Sequence, residues 1–225
     1  ASVKALVDKA IANGMRGIAL TDHGNMFGIK ELTDYVNKKN KDVDGEIKNL
    51  KKTIEELKSA DAVDQEALSK AETALKEAES KIFTPIIGCE MYVADNDMTD
   101  RSNKKDIGRH LIVLAKNQHG YHNLIKLVSN AWTDGYYYHP RTDKKQLEKY
   151  HEDLIVCSAC LGGEVPKLIT AGHIEEAEKS ILWFKKVFGE DYYLELQRHK
   201  ATVARANQEA YPLQQEVNKV LIEMS

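Results

Sequence analysis

No run of 18 or more apolar residues occurs in the 225-residue chain, so the sequence predicts no membrane-spanning helix. The opening Ala1-Ser2-Val3-Lys4-Ala5-Leu6 lacks the basic-then-apolar order of a secretory signal. Cysteine is scarce. Cys89, Cys157 and Cys160 are too few, and odd in number, for a disulfide framework, which points to a reducing, cytoplasmic setting. Neither sign of charge prevails: 32 Lys and Arg against 35 Asp and Glu give a formal net charge of −3. That balance argues against a domain gripping nucleic acid mainly through bulk charge. Several catalytic signatures are missing as well. There is no Gly-x-Ser-x-Gly nucleophile turn. Gly162-Gly163 stands without the Lys-Ser/Thr or Gly-x-Gly-x-x-Gly context of a phosphate loop, so no nucleotide site is assigned there. Cys157-Ser158-Ala159-Cys160 has the CxxC spacing but neither the second pair of a zinc ribbon nor a thioredoxin-like context.

Charged residues make up 30% of the chain, above the usual quarter. The excess has one address. Residues 37–81 hold 10 Lys and 11 Asp or Glu in 45 positions, with no aromatic and no proline; without them, 46 charged residues remain in 180 positions, an ordinary globular share. Within this segment Ile47, Leu50, Ile54 and Leu57 are spaced 3, 4, 3, and Leu68, Ala71, Leu75, Ala78 and Ile82 are spaced 3, 4, 3, 4. Two such seams, separated by residues 59–64, predict an antiparallel helical hairpin over 44–82 with Lys- and Glu-laced faces. A solvated structural insertion is the simpler reading; a docking arm for a partner is the alternative.

Elsewhere helical and strand-like stretches alternate. Ser2 caps a helix carrying Val3, Leu6, Val7, Ala10 and Ile11 on one face, and Asn13-Gly14 ends it. A second helix is expected from near Gly28 towards Asn37, with others at about 118–132, 164–171, 174–188 and 202–224. Strands are expected at 17–21, 85–93, 110–115, 153–157 and 191–196. Short apolar strands separated by helices imply parallel strands in βα units, in an open doubly wound sheet or a barrel. The string Tyr136-Tyr137-Tyr138-His139-Pro140 reads as a loop packing aromatics on a barrel rim, with a stacking platform for bases as the alternative.

In parallel α/β folds ligands gather at the carboxyl ends of strands. Those ends carry Asp22-His23, Cys160 with the glycines after it, and Gln197-Arg198-His199. Glu90 lies inside an apolar strand, where a carboxylate needs a cation, a hydrogen-bond network or a metal; pairing with Arg109 or a lysine is one solution. His23, Glu90, His110 and Cys160 together offer imidazole, carboxylate and thiolate donors, a set suited to zinc, iron or manganese.

Five strings occur in order: Ala19 to Gly28 (ALTDHGNMFG), Pro85 to Ala94 (PIIGCEMYVA), His110 to Asn117 (HLIVLAKN), Ser158 to Pro166 (SACLGGEVP) and Tyr193 to His199 (YLELQRH). Together they resemble the polymerase-and-histidinol-phosphatase (PHP) domain of the alpha subunit of bacterial DNA polymerase III. The resemblance covers nearly all of the chain except 38–82, which looks like an inserted charged hairpin. It implies an α/β fold, a distorted TIM-like (β/α)7 barrel with up to three divalent metal ions (zinc, manganese or iron) at its mouth. The family's metal ligands fall on His23, Glu90, His110 and Cys160, and Asp22 matches an aspartate that orients the neighbouring ligand without touching the metal. The implied chemistry is metal-dependent phosphoester hydrolysis, including 3′–5′ exonuclease activity in some polymerases.

The family's opening His-x-His strand and its closing Asn-Asp-x-His strand have no counterpart in these residues. The expectation is therefore a fragment: an incomplete barrel with partial or absent metal occupancy, inactive alone, and prone to self-association through exposed strand edges. Its parent would be a DNA-directed DNA polymerase, a nucleotidyltransferase of DNA replication, with DNA, replisome subunits and a proofreading exonuclease subunit as partners and no membrane. Two alternatives stand beside this reading: a catalytically silent domain that stabilises the polymerase and docks the proofreading subunit, and a free-standing PHP phosphatase.

Overall fold

The computed structural model describes residues 2–60, 64–203 and 210–225 of a chain of mixed α/β class. It divides into two compact units, Ala1–Leu20 with Gly28–Ile86, and Thr21–Phe27 with Ile87–Ser225.

In the first unit, Ser2 Oγ accepts the Ala5 N–H and starts helix α1, Val3–Ala12. Strand β1, Gly17–Leu20, follows, and Arg16 just before it accepts the N–H of Thr84, where strand β2, Thr84–Val93, begins. Val7, Ala10, Leu32, Val36 and Phe83 form the core. Helix α2 runs unbroken over Ile29–Lys58, so the second helix does not stop near Asn37 and instead continues as the first arm of the charged segment. No proline interrupts residues 38–46, and Asn40 fixes the helix midway. Its side chain, buried at 8% exposure, donates to the Phe83 carbonyl at 2.8 Å and accepts the Phe83 N–H at 3.1 Å. Helix α3, Gln65–Ser80, starts on the Asp64 cap. Lys51–Glu79 (3.2 Å) and Lys58–Glu72 (2.9 Å) link it to α2 in opposite chain order, so the two helices are antiparallel, with Ile54 and Ala78 buried. Residues 61–63 of the intervening turn lie outside the described residues.

Asn40 is a two-sided hydrogen-bond partner for one peptide. Asn40→Ala should therefore cost about 1–3 kcal/mol, the penalty for leaving buried polar groups unpaired. Urea denaturation of the two proteins checks it; a loss below the error of the measurement would contradict the assignment.

The second unit holds the rest of β2, then strand β3, Arg109–Ala115, and helix α4, Gln118–Thr133. Strands β4, Tyr136–Tyr137, and β5, His139–Thr142, come next, followed by helix α5, Lys144–Lys149, and strand β6, Leu154–Cys157. Helices α6, Glu164–Thr170, and α7, Ile174–Phe188, precede strand β7, Tyr192–Tyr193, and helix α8, Ala210–Glu223. The strands follow the order β4-β5-β2-β3-β6-β7. Pairs β2/β5 and β6/β7 are parallel; β2/β3, β3/β6 and β4/β5 are antiparallel.

The sheet is thus mixed, which corrects the expectation of parallel βα units. Residues 94–108 contain no helix, so the chain returns along β2 without the crossover that a parallel neighbour requires. Residues 136–142 are not a loop but a short hairpin around Tyr138 (φ 59°), with Tyr136 stacked on Trp132. The strand expected at 191–196 shrinks to two residues, and of the helix expected at 202–224 residues 204–209 lie outside the described residues.

Period-two alternation positions the site. Cys89, Met91 and Val93 on β2, and Leu111 and Val113 on β3, are buried in the core, at 0–3% exposure. Glu90, Tyr92 and His110 therefore share the opposite face. The connection that delivers β3 is built on Arg141, which is fully buried. Its guanidinium donates to the carbonyls of Met98 (2.9 Å), Asp100 (2.7 Å) and Asp106 (3.0 Å) and pairs with the Asp106 carboxylate at 3.3 Å. Asp106 in turn accepts the N–H groups of Asp95 and Gly108.

Candidate metal centre

Four of the five residues singled out in the sequence lie along one chain of contacts. Glu90 uses both carboxylate oxygens: Oε1 is 2.6 Å from His110 Nδ1 and Oε2 is 2.7 Å from His23 Nδ1. Cys160 Sγ is 3.3 Å from the same His110 nitrogen. One carboxylate oxygen, one imidazole nitrogen and one thiol sulfur from Glu90, His110 and Cys160 lie within 4.8 Å of one another, a group able to hold a metal ion. His23 stands beside this group, bonded to Glu90, with its side chain 70% exposed. Asp22 contributes through its backbone, its carbonyl accepting the Glu90 N–H at 3.0 Å and the Cys89 thiol at 3.5 Å. Glu90 does not pair with Arg109, whose guanidinium goes to Asp95 instead.

Each position has a local cause. The Asp22–Asn25 loop is tied to β2 on both sides of His23, because Gly24 N–H donates to the Glu90 carbonyl at 2.8 Å while Glu90 N–H donates to Asp22. Trp132 Nε1–H closes the loop from the other side on the Gly24 carbonyl at 2.8 Å. Gly24 adopts φ 66°, and a Cβ there would come within 2.7 Å of Pro140 and 3.2 Å of the Tyr92 ring. Only glycine suits both demands.

Cys160 is aimed by a strained turn. Ala159 takes φ 63°, a conformation costing a side-chain-bearing residue roughly 1 kcal/mol. Ser158 anchors the turn, its N–H on the Tyr193 carbonyl and its hydroxyl accepting the Glu195 N–H at 2.8 Å. The glycines that follow have a steric purpose. A Cβ on Gly162 would meet His110 Nδ1 at 2.8 Å, so the backbone passes flat beneath the imidazole; its N–H points to Cys160 Sγ at 3.3 Å.

The electrostatics follow from these contacts. The hydrogen bond to Cys160, then that to Glu90, raises the His110 imidazole to a pKa of about 9. The same bond from His110 pulls the Cys160 thiol below its ordinary value against the opposing effect of burial. Burial disfavours charge on Glu90, yet hydrogen bonds and attraction from His110 and His23 hold its carboxyl low. Cys89 behaves oppositely: buried in the core with Asp22 near, its thiol rises to about 12, and it is inert. Burial likewise lifts Cys157 to about 11, consistent with the absence of redox context around the CxxC pair. The carboxylate and the thiol thus both converge on His110 Nδ1.

Two residues of the pocket escaped the reading of the sequence as site residues. Tyr92 opposes His110 across the β2/β3 ladder and meets it edge-on, with centroids 5.2 Å apart at 88°. His139 stacks on the Tyr92 ring at 4.5 Å and 16°. Burial first, then the charges of Glu90, Cys89 and Cys160, raises the Tyr92 phenol above its ordinary value. Period two from Glu90 would have pointed to Tyr92. His139 was visible only as part of the aromatic string 136–140, and it arrives through the parallel β2/β5 pairing.

The fold and this cluster define an α/β domain with a carboxylate–imidazole–thiol group able to hold a metal ion. The family model of the PHP domain matches residues 1–199, and the chain belongs to that family. Among curated proteins it is similar to the DNA polymerase III subunit alpha of Borreliella burgdorferi, 42% identical over 204 residues, covering 88% of this chain and 14% of that protein. The subunit alpha of Treponema pallidum is 37% identical over 202 residues, covering 88% of this chain and 14% of the relative. That of Aquifex aeolicus is 30% identical over 230 residues, covering 99% and 15%. The chain therefore spans about one-seventh of the length of these relatives. No helix among the described residues is long and apolar enough to cross a membrane.

Proposed function

We propose that this chain is the PHP domain of a replicative DNA polymerase alpha subunit and that its pocket holds a divalent metal ion serving phosphoester hydrolysis. The convergence of Glu90, His110 and Cys160 donor atoms within 4.8 Å carries the reading. The donor set fits the ion. Glu90, His110 and Cys160, with His23 beside them, offer the N, O and S donors that suit a zinc ion. When bound, the ion would supply a polarised phosphoryl oxygen and an activated water. The chain's own residues do the rest. Glu90 orients two imidazoles through its two oxygens, Gly162 leaves room for the His110 ring, and Ala159 turns the Cys160 thiolate back to it. His23, exposed and bonded to Glu90, is the fourth ligand of this reading, and Asp22 fixes the height of Glu90 through its carbonyl.

The same reading makes the strands part of a distorted (β/α)7 barrel, treats residues 44–82 as an inserted hairpin, and sets the domain in a cytoplasmic replisome working on DNA beside a proofreading subunit. Support comes from the likeness to subunit alpha of DNA polymerase III over most of this chain. The test is hydrolysis of thymidine 5′-p-nitrophenyl phosphate by the whole parent subunit loaded with Zn²⁺ or Mn²⁺, since the chain by itself is expected to be inactive. Turnover that disappears in His110→Ala is expected. Metal uptake without any turnover would instead support the reading of a silent, stabilising domain.

A further inference from the structure

Both anionic donors of the centre, Glu90 and Cys160, accept hydrogen bonds and repel a phosphate, so an oxyanion bound there needs a donor from a neighbour. Tyr92 is the neighbour so equipped. It shares the face of Glu90, opposes His110 in the ladder and is half-buried. An ordinary phenol is protonated at neutral pH and donates one O–H. Its ring is not free to turn away. His110 meets it edge-on with centroids 5.2 Å apart, and His139 stacks on it at 4.5 Å. A phenol held between two rings carries its O–H donor on a fixed stem, preorganised for a ligand.

We propose that Tyr92 is the substrate-contacting donor of this centre, its phenolic O–H binding a phosphoryl oxygen. His139 is the positioning residue that holds the phenol there by stacking. The inference rests on the metal-dependent phosphoesterase reading and adds to it the group that recognises the phosphate.

The experiment uses the whole chain loaded with Co²⁺ and titrated with inorganic phosphate, following the visible spectrum of the metal. The native chain should give a saturable spectral change. Tyr92→Phe keeps the ring and its stack, so cobalt uptake should persist while phosphate affinity falls about tenfold or more, the loss of one hydrogen bond to a charged group. His139→Ala should weaken phosphate in the same direction, and His139→Phe, which restores a stacked ring, should recover it. Unaltered phosphate affinity in Tyr92→Phe would overturn the proposal, as would a native cobalt-loaded chain that ignores phosphate. Loss of cobalt uptake in Tyr92→Phe would assign the residue to holding the ligands and would equally overturn it. A native chain that takes up no cobalt would overturn the metal-centre reading itself.

Discussion

Glu90→Gln is expected to lower affinity for Zn²⁺ or Co²⁺ by at least about 100-fold, since even residues that merely support a metal ligand cost 10- to 100-fold when lost. The substitution preserves size but removes the charge and turns one end of the group from acceptor to donor. Both contacts of Glu90 suffer at once, that with His110 at 2.6 Å and that with His23 at 2.7 Å. The strand itself should survive. Glu90 is held to Asp22 and Gly24 by backbone hydrogen bonds that the substitution does not touch. Competition with a chromophoric chelator measures the affinity, and circular dichroism checks that the fold persists. Native-like affinity in a folded Glu90→Gln would remove the carboxylate from the ligand set.

The largest stability effect should come from a residue outside the pocket. Arg141→Met is expected to destabilise the chain by about 3–5 kcal/mol, the cost of stranding the buried partner of an ion pair. Arg141 has no exposure and Asp106 only 6%, so the Asp106 charge would keep its burial and lose its cation. Three carbonyls, those of Met98, Asp100 and Asp106, would lose donors together. Because the connection organised by Arg141 leads directly into Arg109 and His110, metal affinity should fall along with stability. Urea denaturation measures the first effect and chelator competition the second. Native-like stability in Arg141→Met would show that the 94–108 connection holds itself.

How far the sequence alone leads differs from residue to residue. The candidate donors stand out because imidazole, thiol and an acid inside Ile-Ile-Gly-Cys-Glu-Met-Tyr-Val are chemically conspicuous, and the first helix start because the Ser2 cap acts over three residues. Strand direction was not legible. Periodicity is identical in parallel and antiparallel neighbours; the helix-free connection at 94–108 marks β2/β3 as antiparallel, and nothing comparable marks β3/β6. The length of α2 was missed because the helix was expected to run only towards Asn37, whereas Asn40 beyond it is held by Phe83, far along the chain. Gly162 was judged against phosphate loops and found wanting, when its purpose is to clear the His110 ring. His139 reaches the pocket through β5, a strand too short to leave a pattern.

The central claim is that Glu90, His110 and Cys160 hold a metal together, and cobalt titration of the intact chain tests it most directly. A thiolate ligand gives a thiolate-to-cobalt charge-transfer band, so the native chain should develop that band to saturation, and Cys160→Ser should lose it while Cys157→Ser keeps it. No band in the native chain, or a band that survives Cys160→Ser, would contradict the assignment.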